Sequence, residues 1–242
     1  MTIILFWRWK VLNEVFRREK KFLITLDEYY RFGGRLAQVM AQDENNGQEG
    51  YVIRSLYFDT PEDQDFYEKE DGVEVRRKIR LRIYDPDSDF AMLEMKQKQG
   101  DQQKKRSLRM KREDAVSLTH GDYGVLLRYK ESFAAECFAV MTSRCYRPKA
   151  VVEYNRKAFV ARENKIRVTF DHHIRATESH FDIFDRHLLM TPVMDPYLVV
   201  LEVKYNGFLL SYIKDMLLAC DRSELSVSKY YIGRGFTKLL IR

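Results

Sequence analysis

Between Val75 and Tyr84 the chain reads Val-Arg-Arg-Lys-Ile-Arg-Leu-Arg-Ile-Tyr, and this alternation limits the fold more than any other stretch. Successive side chains of a strand point to opposite faces. Val75, Ile79, Leu81 and Ile83 therefore share one face, while Arg76, Lys78, Arg80, Arg82 and Tyr84 share the other. One face is nearly apolar and the other is a row of cations. A sheet with one side in water accounts for a single strand of this kind.

The neighbouring segments repeat the pattern. From Phe90 to Lys98, Glu94, Lys96 and Lys98 lie on one face. In the next strand Lys104 and Arg106 share a face, with Lys105, Arg109 and Lys111 leaving its sidedness open. Tyr154 aligns with Arg156, Arg167 with Thr169 and Asp171, and Glu202 with Lys204. Stacked like charges repel, so such a sheet face is unfavourable unless anions neutralise it. Closing the sheet would turn the cationic faces into a lumen and leave the apolar faces for helices to cover. The expected fold class is α+β: an antiparallel β-barrel tunnel of about eight strands with a basic lumen, flanked by helices.

The rest of the chain fits that plan. Thr25-Leu-Asp-Glu28 is a capping box that opens a helix running to about Met40. Thr60-Pro61 starts a short helix, the stretch from Arg112 to Thr142 reads as helical, and two helices close the chain, near Phe208–Ala219 and after Ser226. Strands are expected at Glu14–Ile24, Tyr51–Phe58, Val73–Tyr84, Phe90–Lys98, Gln103–Met110, Ala150–Ala161, Lys165–Ile174 and Leu198–Tyr205. At 45% hydrophobic residues the chain can fill a core, and 5 Pro with 11 Gly leave no long linker, so one domain (14–242) after an extension (1–13) is expected. Three Cys without a CxxC spacing argue against a disulfide framework or zinc site. No apolar run reaches the roughly 18–20 residues of a membrane span, and the apolar start lacks signal-peptide flanks, so a cytoplasmic protein is expected. His172-His173, His180 and His187 show no metal-ligand spacing, since adjacent histidines point to opposite sides of a strand.

A basic lumen selects its anion by shape. A nucleic-acid duplex is too wide and calls for an exposed stripe, and no aromatic ladder interleaves with the basic positions as a single strand would need. Neither GxxxxGK[ST] nor GxGxxG occurs, so phosphate must be held by side chains. Arg forks and Lys point charges suit phosphate oxygens, and a linear phosphate chain fits a narrow tunnel best.

The sequence resembles the VTC domain, the polyphosphate polymerase domain of the triphosphate tunnel (CYTH-like) fold. The resemblance runs from about Glu14 to Gly233. It rests on Arg18-Glu-Lys-Lys-Phe-Leu-Ile24, Ser55-Leu-Tyr-Phe-Asp-Thr60, Lys78-Ile-Arg-Leu-Arg-Ile-Tyr84, Leu93-Glu-Met-Lys96, Glu153-Tyr-Asn-Arg-Lys-Ala-Phe159, Leu201-Glu-Val-Lys204 and Ser228-Lys-Tyr230. It implies an enzyme that passes the terminal phosphoryl group of ATP to inorganic polyphosphate, using Mn²⁺ or Mg²⁺. By the family's motif positions, Lys21, Arg80, Arg82, Lys96, Tyr154, Arg156, Arg167, Ser228 and Lys229 contact phosphate and Glu202 holds the metal. Arg80, Arg82, Lys96, Arg156, Arg167 and Lys229 are the candidate catalytic cations. Face parity adds Lys78, Lys98, Lys104, Arg106 and Lys204 as phosphate-binding residues. Glu94 and Glu19 are secondary metal candidates, with salt bridges to Lys96 and Lys21 as the simpler expectation. Family members work in or beside membrane assemblies, which for this chain would require a partner protein.

Two other readings stay open. Tunnel-fold triphosphatases begin with a Glu-x-Glu-x-Lys strand, whereas Arg17 stands at the first Glu position of Arg17-Arg-Glu-Lys-Lys21 here. Fewer lumenal carboxylates favour transfer over hydrolysis. A non-catalytic module binding polyphosphate or inositol phosphates would use the same cations.

Overall fold

The computed structural model describes residues 17–100, 102–218 and 228–240. Strand β1 (Arg17–Thr25) leads into helix α1 (Leu26–Val39), where the Thr25 hydroxyl and the Glu28 carboxylate satisfy each other's backbone N–H groups. A two-residue strand β2 (Ala41–Gln42), strand β3 (Tyr51–Asp59) and helix α2 (Gln64–Glu70) follow. Strands β4 (Val75–Ile83), β5 (Phe90–Gln99) and β6 (Gln102–Lys111) form a meander. The helical middle is α3 (Arg112–Thr119), a 3₁₀ turn (Tyr123–Arg128) and α4 (Ser132–Ser143). The chain returns through β7 (Arg147–Ala161), β8 (Ile166–Thr177), a two-residue β9 (Thr191–Pro192) and β10 (Leu198–Asn206), then α5 (Ser211–Leu218) and α6 (Lys229–Leu240). The apolar start and Cys220 lie outside the described residues.

All ten strands belong to one sheet with the path β1-β10-β8-β7-β3-β4-β5-β6, and every pairing is antiparallel. Closure is the departure from expectation: among the described residues β1 and β6, the two ends of the path, do not pair. The sheet is nevertheless rolled. Lys96 on β5 reaches within 3.7 Å of Glu19 on β1, six strands away along the path, which a flat sheet could not allow.

Two apolar clusters cover the outside. Ile79, Leu81, Leu93, Met95, Leu108 and Met110 pack with Leu118, Leu126 and Met141 of the helical middle. Phe22, Ile24, Val168, Phe170, Leu201 and Val203 pack with Tyr29, Phe32 and Leu36 of α1 and Ile213 of α5. On these two flanks the apolar strand faces are covered by helices and the charged faces turn into the roll, while a third cluster sets Tyr57, Val152, Tyr154 and Val200 against Phe66 of α2 and Tyr230 of α6. Gly50 lets β3 start close to β7: its φ is +92°, and an added Cβ would lie 2.2 Å from the Arg156 carbonyl oxygen.

Candidate functional site

Cross-strand register decides which side chains share the inner face. Glu19 lies opposite Lys204, and Lys204 opposite Arg167. Lys21 lies opposite Glu202, which faces Thr169. Arg156 lies opposite Asp171, Tyr57 opposite Arg80, and Arg80 opposite Glu94. Lys78 lies opposite Lys96, and Arg76 opposite Lys98. The rows chosen from parity on β4, β5, β7, β8 and β10 therefore do meet on one surface, and Glu19 and Lys21 of β1 join them.

Carboxylates divide this surface into three groups. Glu94 is buried and accepts from Arg80 Nε at 2.7 Å, with Arg82 at 3.7 Å and Lys105 in contact. Burial alone would favour its neutral acid, but the three cations hold its pKa down at about 2. Arg80 also donates to the Tyr57 hydroxyl at 3.3 Å, and Arg82 to Ser55 at 3.2 Å. Asp171, fully buried, receives a fork from Arg156 (2.6 and 2.8 Å) and contacts Lys229 at the start of α6. The desolvation that would raise its pKa is overridden by Arg156 and Lys229, and it is lowered. Lys229 and Arg156 also lie over the Tyr154 ring at 4.9 and 5.4 Å.

The third group is a pair of carboxylates. Glu202 is buried, touches Lys204 and lies 3.7 Å from Lys21; Glu19 touches Lys21 and lies 3.9 Å from Lys204. Despite burial, Lys204, Lys229, Lys21 and Arg156 hold Glu202 well below the ordinary carboxylate range. Beyond these groups, Lys78 donates to the Ser228 hydroxyl at 2.6 Å. Burial and the neighbouring Lys69, Lys96, Lys21 and Arg76 push its pKa down to about 7, and burial chiefly brings Lys96 to about 8. Arg167 pairs with Asp43 at 2.6 Å and donates to the Tyr51 hydroxyl at 3.0 Å.

Several expectations need correction. Lys104 and Arg106 are not on the inner face: the β5–β6 register puts Lys105 opposite Lys96 and Ser107 opposite Glu94. Arg106 instead binds Glu136 of α4 and lies over Phe133, 5.0 Å from its centroid. Lys105 is the residue missed, since its own strand's alternation was ambiguous and only pairing to β5 resolves it. Glu94 bridges to Arg80, Arg82 and Lys105 and not to Lys96, whereas Glu19 does meet Lys21. Asp171, aligned with Arg167 and Thr169 in sequence, serves to order Arg156 and Lys229. His172 and His173 do not diverge, because a positive φ of 50° at His173 breaks the alternation and brings their Nδ1 atoms to 3.0 Å.

Among the described residues no group of three or more His, Cys, Asp or Glu side chains could hold a metal. Glu202 and Glu19, both held low by the surrounding lysines despite burial, fit a hard cation held in another way. Mg²⁺ or Mn²⁺ commonly takes one or two carboxylates and completes its shell with phosphate oxygens and water. This donor set fits that mode and not a cage of protein ligands.

A rolled antiparallel sheet with a cation-lined inner face, clad in helices, defines a protein of the triphosphate tunnel class. The model of the VTC domain family matches residues 16–237, and the chain belongs to that family. Among solved structures, a "putative adenylate cyclase" from Bacillus halodurans is 11% identical with a TM-score of 0.50, covering 88% of this chain and 93% of that one. It shares the fold. A Pyrococcus horikoshii protein has a TM-score of 0.44 at 10% identity, covering 91% of this chain and 99% of that one. No curated protein matches.

Proposed function

We propose that this chain is a polyphosphate polymerase that moves the terminal phosphoryl group of ATP onto a growing chain of inorganic polyphosphate. The observation that carries the reading is the inner face itself: cations from seven strands and α6, each carboxylate among them clasped by two or more. In the reaction, the bond from the γ-phosphorus to the β,γ-bridging oxygen breaks and ADP leaves. A terminal oxygen of the chain forms the new P–O bond. Phosphoryl transfer asks for alignment and charge neutralisation more than covalent work by the protein.

The residues divide that work. Arg80 and Arg82, aimed by Glu94, and Arg156, aimed by Asp171, present preset forks to the transferred group and its neighbours. Lys96, Arg167 and Lys229 add charge around it. Lys21, Lys78, Lys98, Lys204, Tyr154 and Ser228 hold the remaining phosphates. Glu202, with Glu19 beside it, would hold Mn²⁺ or Mg²⁺, which would supply positive charge to offset that of the phosphates. No helix among the described residues is long and apolar enough to cross a membrane.

The test is incubation with ATP and Mn²⁺ or Mg²⁺, products being resolved by phosphate chain length, beside a Glu202→Ala control. A long ladder from the wild type alone is expected. Free phosphate without a ladder would make the chain a triphosphatase, and binding without turnover a polyphosphate-holding module.

A further inference from the structure

Ser55, Tyr57 and Asp59 alternate along β3 and so share one face of it. The first two each accept a hydrogen bond from a cation of β4: Ser55 from Arg82 at 3.2 Å and Tyr57 from Arg80 at 3.3 Å. Asp59 ends the row and is fully buried. Its Oδ1 accepts from the backbone N–H groups of Thr60 at 2.7 Å and Asp65 at 2.9 Å. Its Oδ2 accepts from the Phe66 N–H at 3.0 Å and from the Tyr230 hydroxyl at 2.7 Å. Four donors fill the acceptor sites of a carboxylate, so Asp59 acts through what it holds and not on a ligand.

Asp65 and Phe66 belong to the first turn of α2, but the fourth donor belongs to α6. Tyr230 directly follows Lys229, the residue that meets Asp171. Its ring is buried, stacked on Tyr57 at 5.1 Å and edge-on to Phe66 at 6.2 Å. Further along α6, Arg234 pairs with Asp63 at 2.6 Å and with Glu178, and a Cβ on Gly233 would come 2.5 Å from Val152 Cγ2. Those contacts hold the body of the helix on the sheet without Asp59. The Tyr230 bond instead fixes the turn that carries Lys229. Burial, and then the Asp59 charge, raise the Tyr230 pKa, so its hydroxyl stays a donor at any working pH.

We infer that Asp59 is a positioning residue for phosphoryl transfer: through Tyr230 it sets the first turn of α6 and so the place of the Lys229 ammonium beside Asp171. The assignment rests on the polymerase reading, in which Lys229 adds charge around the transferred group. Misplacing such a group by about 1 Å costs on the order of a hundredfold in rate. Substrate affinity, shared among many cations, depends on it far less.

The test is Tyr230→Phe, which removes one hydroxyl and keeps the ring between Tyr57 and Phe66. In the ATP assay kcat should fall about tenfold or more, while KM for ATP moves less than about twofold. In a Lys229→Met background the same change should cost less than about twofold, because a residue that acts through Lys229 has nothing left to place. A readout free of turnover is acetylation of the full chain by acetic anhydride, followed by peptide mass at Lys229, whose side chain is 10% exposed, and at Lys98 on β5. Tyr230→Phe should raise the Lys229 rate about threefold or more and leave Lys98 within about 1.5-fold. A kcat within about twofold of wild type, full additivity with Lys229→Met, or equal rises at the two lysines would overturn the positioning role. If the wild type makes no ladder, the polymerase reading fails by itself and acetylation decides: selective exposure of Lys229 leaves its placement by Asp59 standing, and an unchanged rate removes that as well.

Discussion

Replacing Asp171 by Asn should be among the most damaging changes on the inner face that leave the side-chain shape intact. Asp171 has no exposed surface, and its partners Arg156 and Lys229 have side chains only 11% and 10% exposed. Removing its charge leaves a guanidinium and an ammonium buried together with nothing between them. Breaking a buried pair from one side costs about 3–5 kcal/mol, and here one carboxylate serves two cations. The folding equilibrium constant should therefore fall by roughly two to three and a half powers of ten. Urea unfolding at pH 7 followed by tryptophan-independent circular dichroism reads this directly. The pH profile adds a sign. Because the folded pKa of Asp171 is lowered, its contribution is present above the unfolded value of about 4 and disappears as pH falls through the folded one. Wild type and variant should thus converge in acid. Polyphosphate should also rescue the variant more than the wild type at equal concentration, since a bound anion takes the place of the missing charge; a form held at a hundredfold excess over its own Kd gains about 2.7 kcal/mol. A deficit below about 1 kcal/mol at pH 7, unchanged in acid, would refute the argument that this carboxylate holds the two cations in place.

Further outcomes are expected elsewhere. Glu94→Gln should destabilise at neutral pH, and the difference from wild type should fade as pH falls from the ordinary glutamate range toward about 2, measured by acid-dependent urea midpoints. Gly50→Ala should cost about 2–4 kcal/mol, because the new methyl would meet the Arg156 carbonyl and the backbone stays at positive φ; a melting temperature within a degree or two of wild type would contradict the close approach. Polyphosphate affinity should decline as pH rises past about 7, as Lys78 loses the proton that binding needs; Lys69, Arg76, Lys96 and Lys21 crowd it from α2, β4, β5 and β1, and Lys78→Arg should flatten the decline.

Much of this was legible because period-2 alternation and helix capping act locally. The Thr25–Glu28 box and the β4 row of Arg76, Lys78, Arg80 and Arg82 needed only their own neighbours in sequence. What was hidden depends on contacts between segments. Lys105 could not be chosen over Lys104 and Arg106 until β6 was registered against β5. Asp171 stood in a recognised row, yet its task is set by Arg156 fifteen residues away and by Lys229 on a different element. Lys69 belongs to a helix whose docking on β4 no strand rule foresees. The family resemblance reached Ser228 and Lys229 because a motif carries long-range information that periodicity lacks, but it left the carboxylates that aim the cations unassigned.

The lengthwise seam of the rolled sheet deserves a mechanical reading. Around most of the circumference the wall is a ladder of backbone hydrogen bonds, which sets a fixed spacing between strands. Between β1 and β5 the described link is the longer side-chain contact of Lys96 with Glu19. A wall built this way has an adjustable girth on one side only. Salt loosens such a contact and a threaded anion competes for its lysine, so the bore can widen there without any strand leaving its ladder.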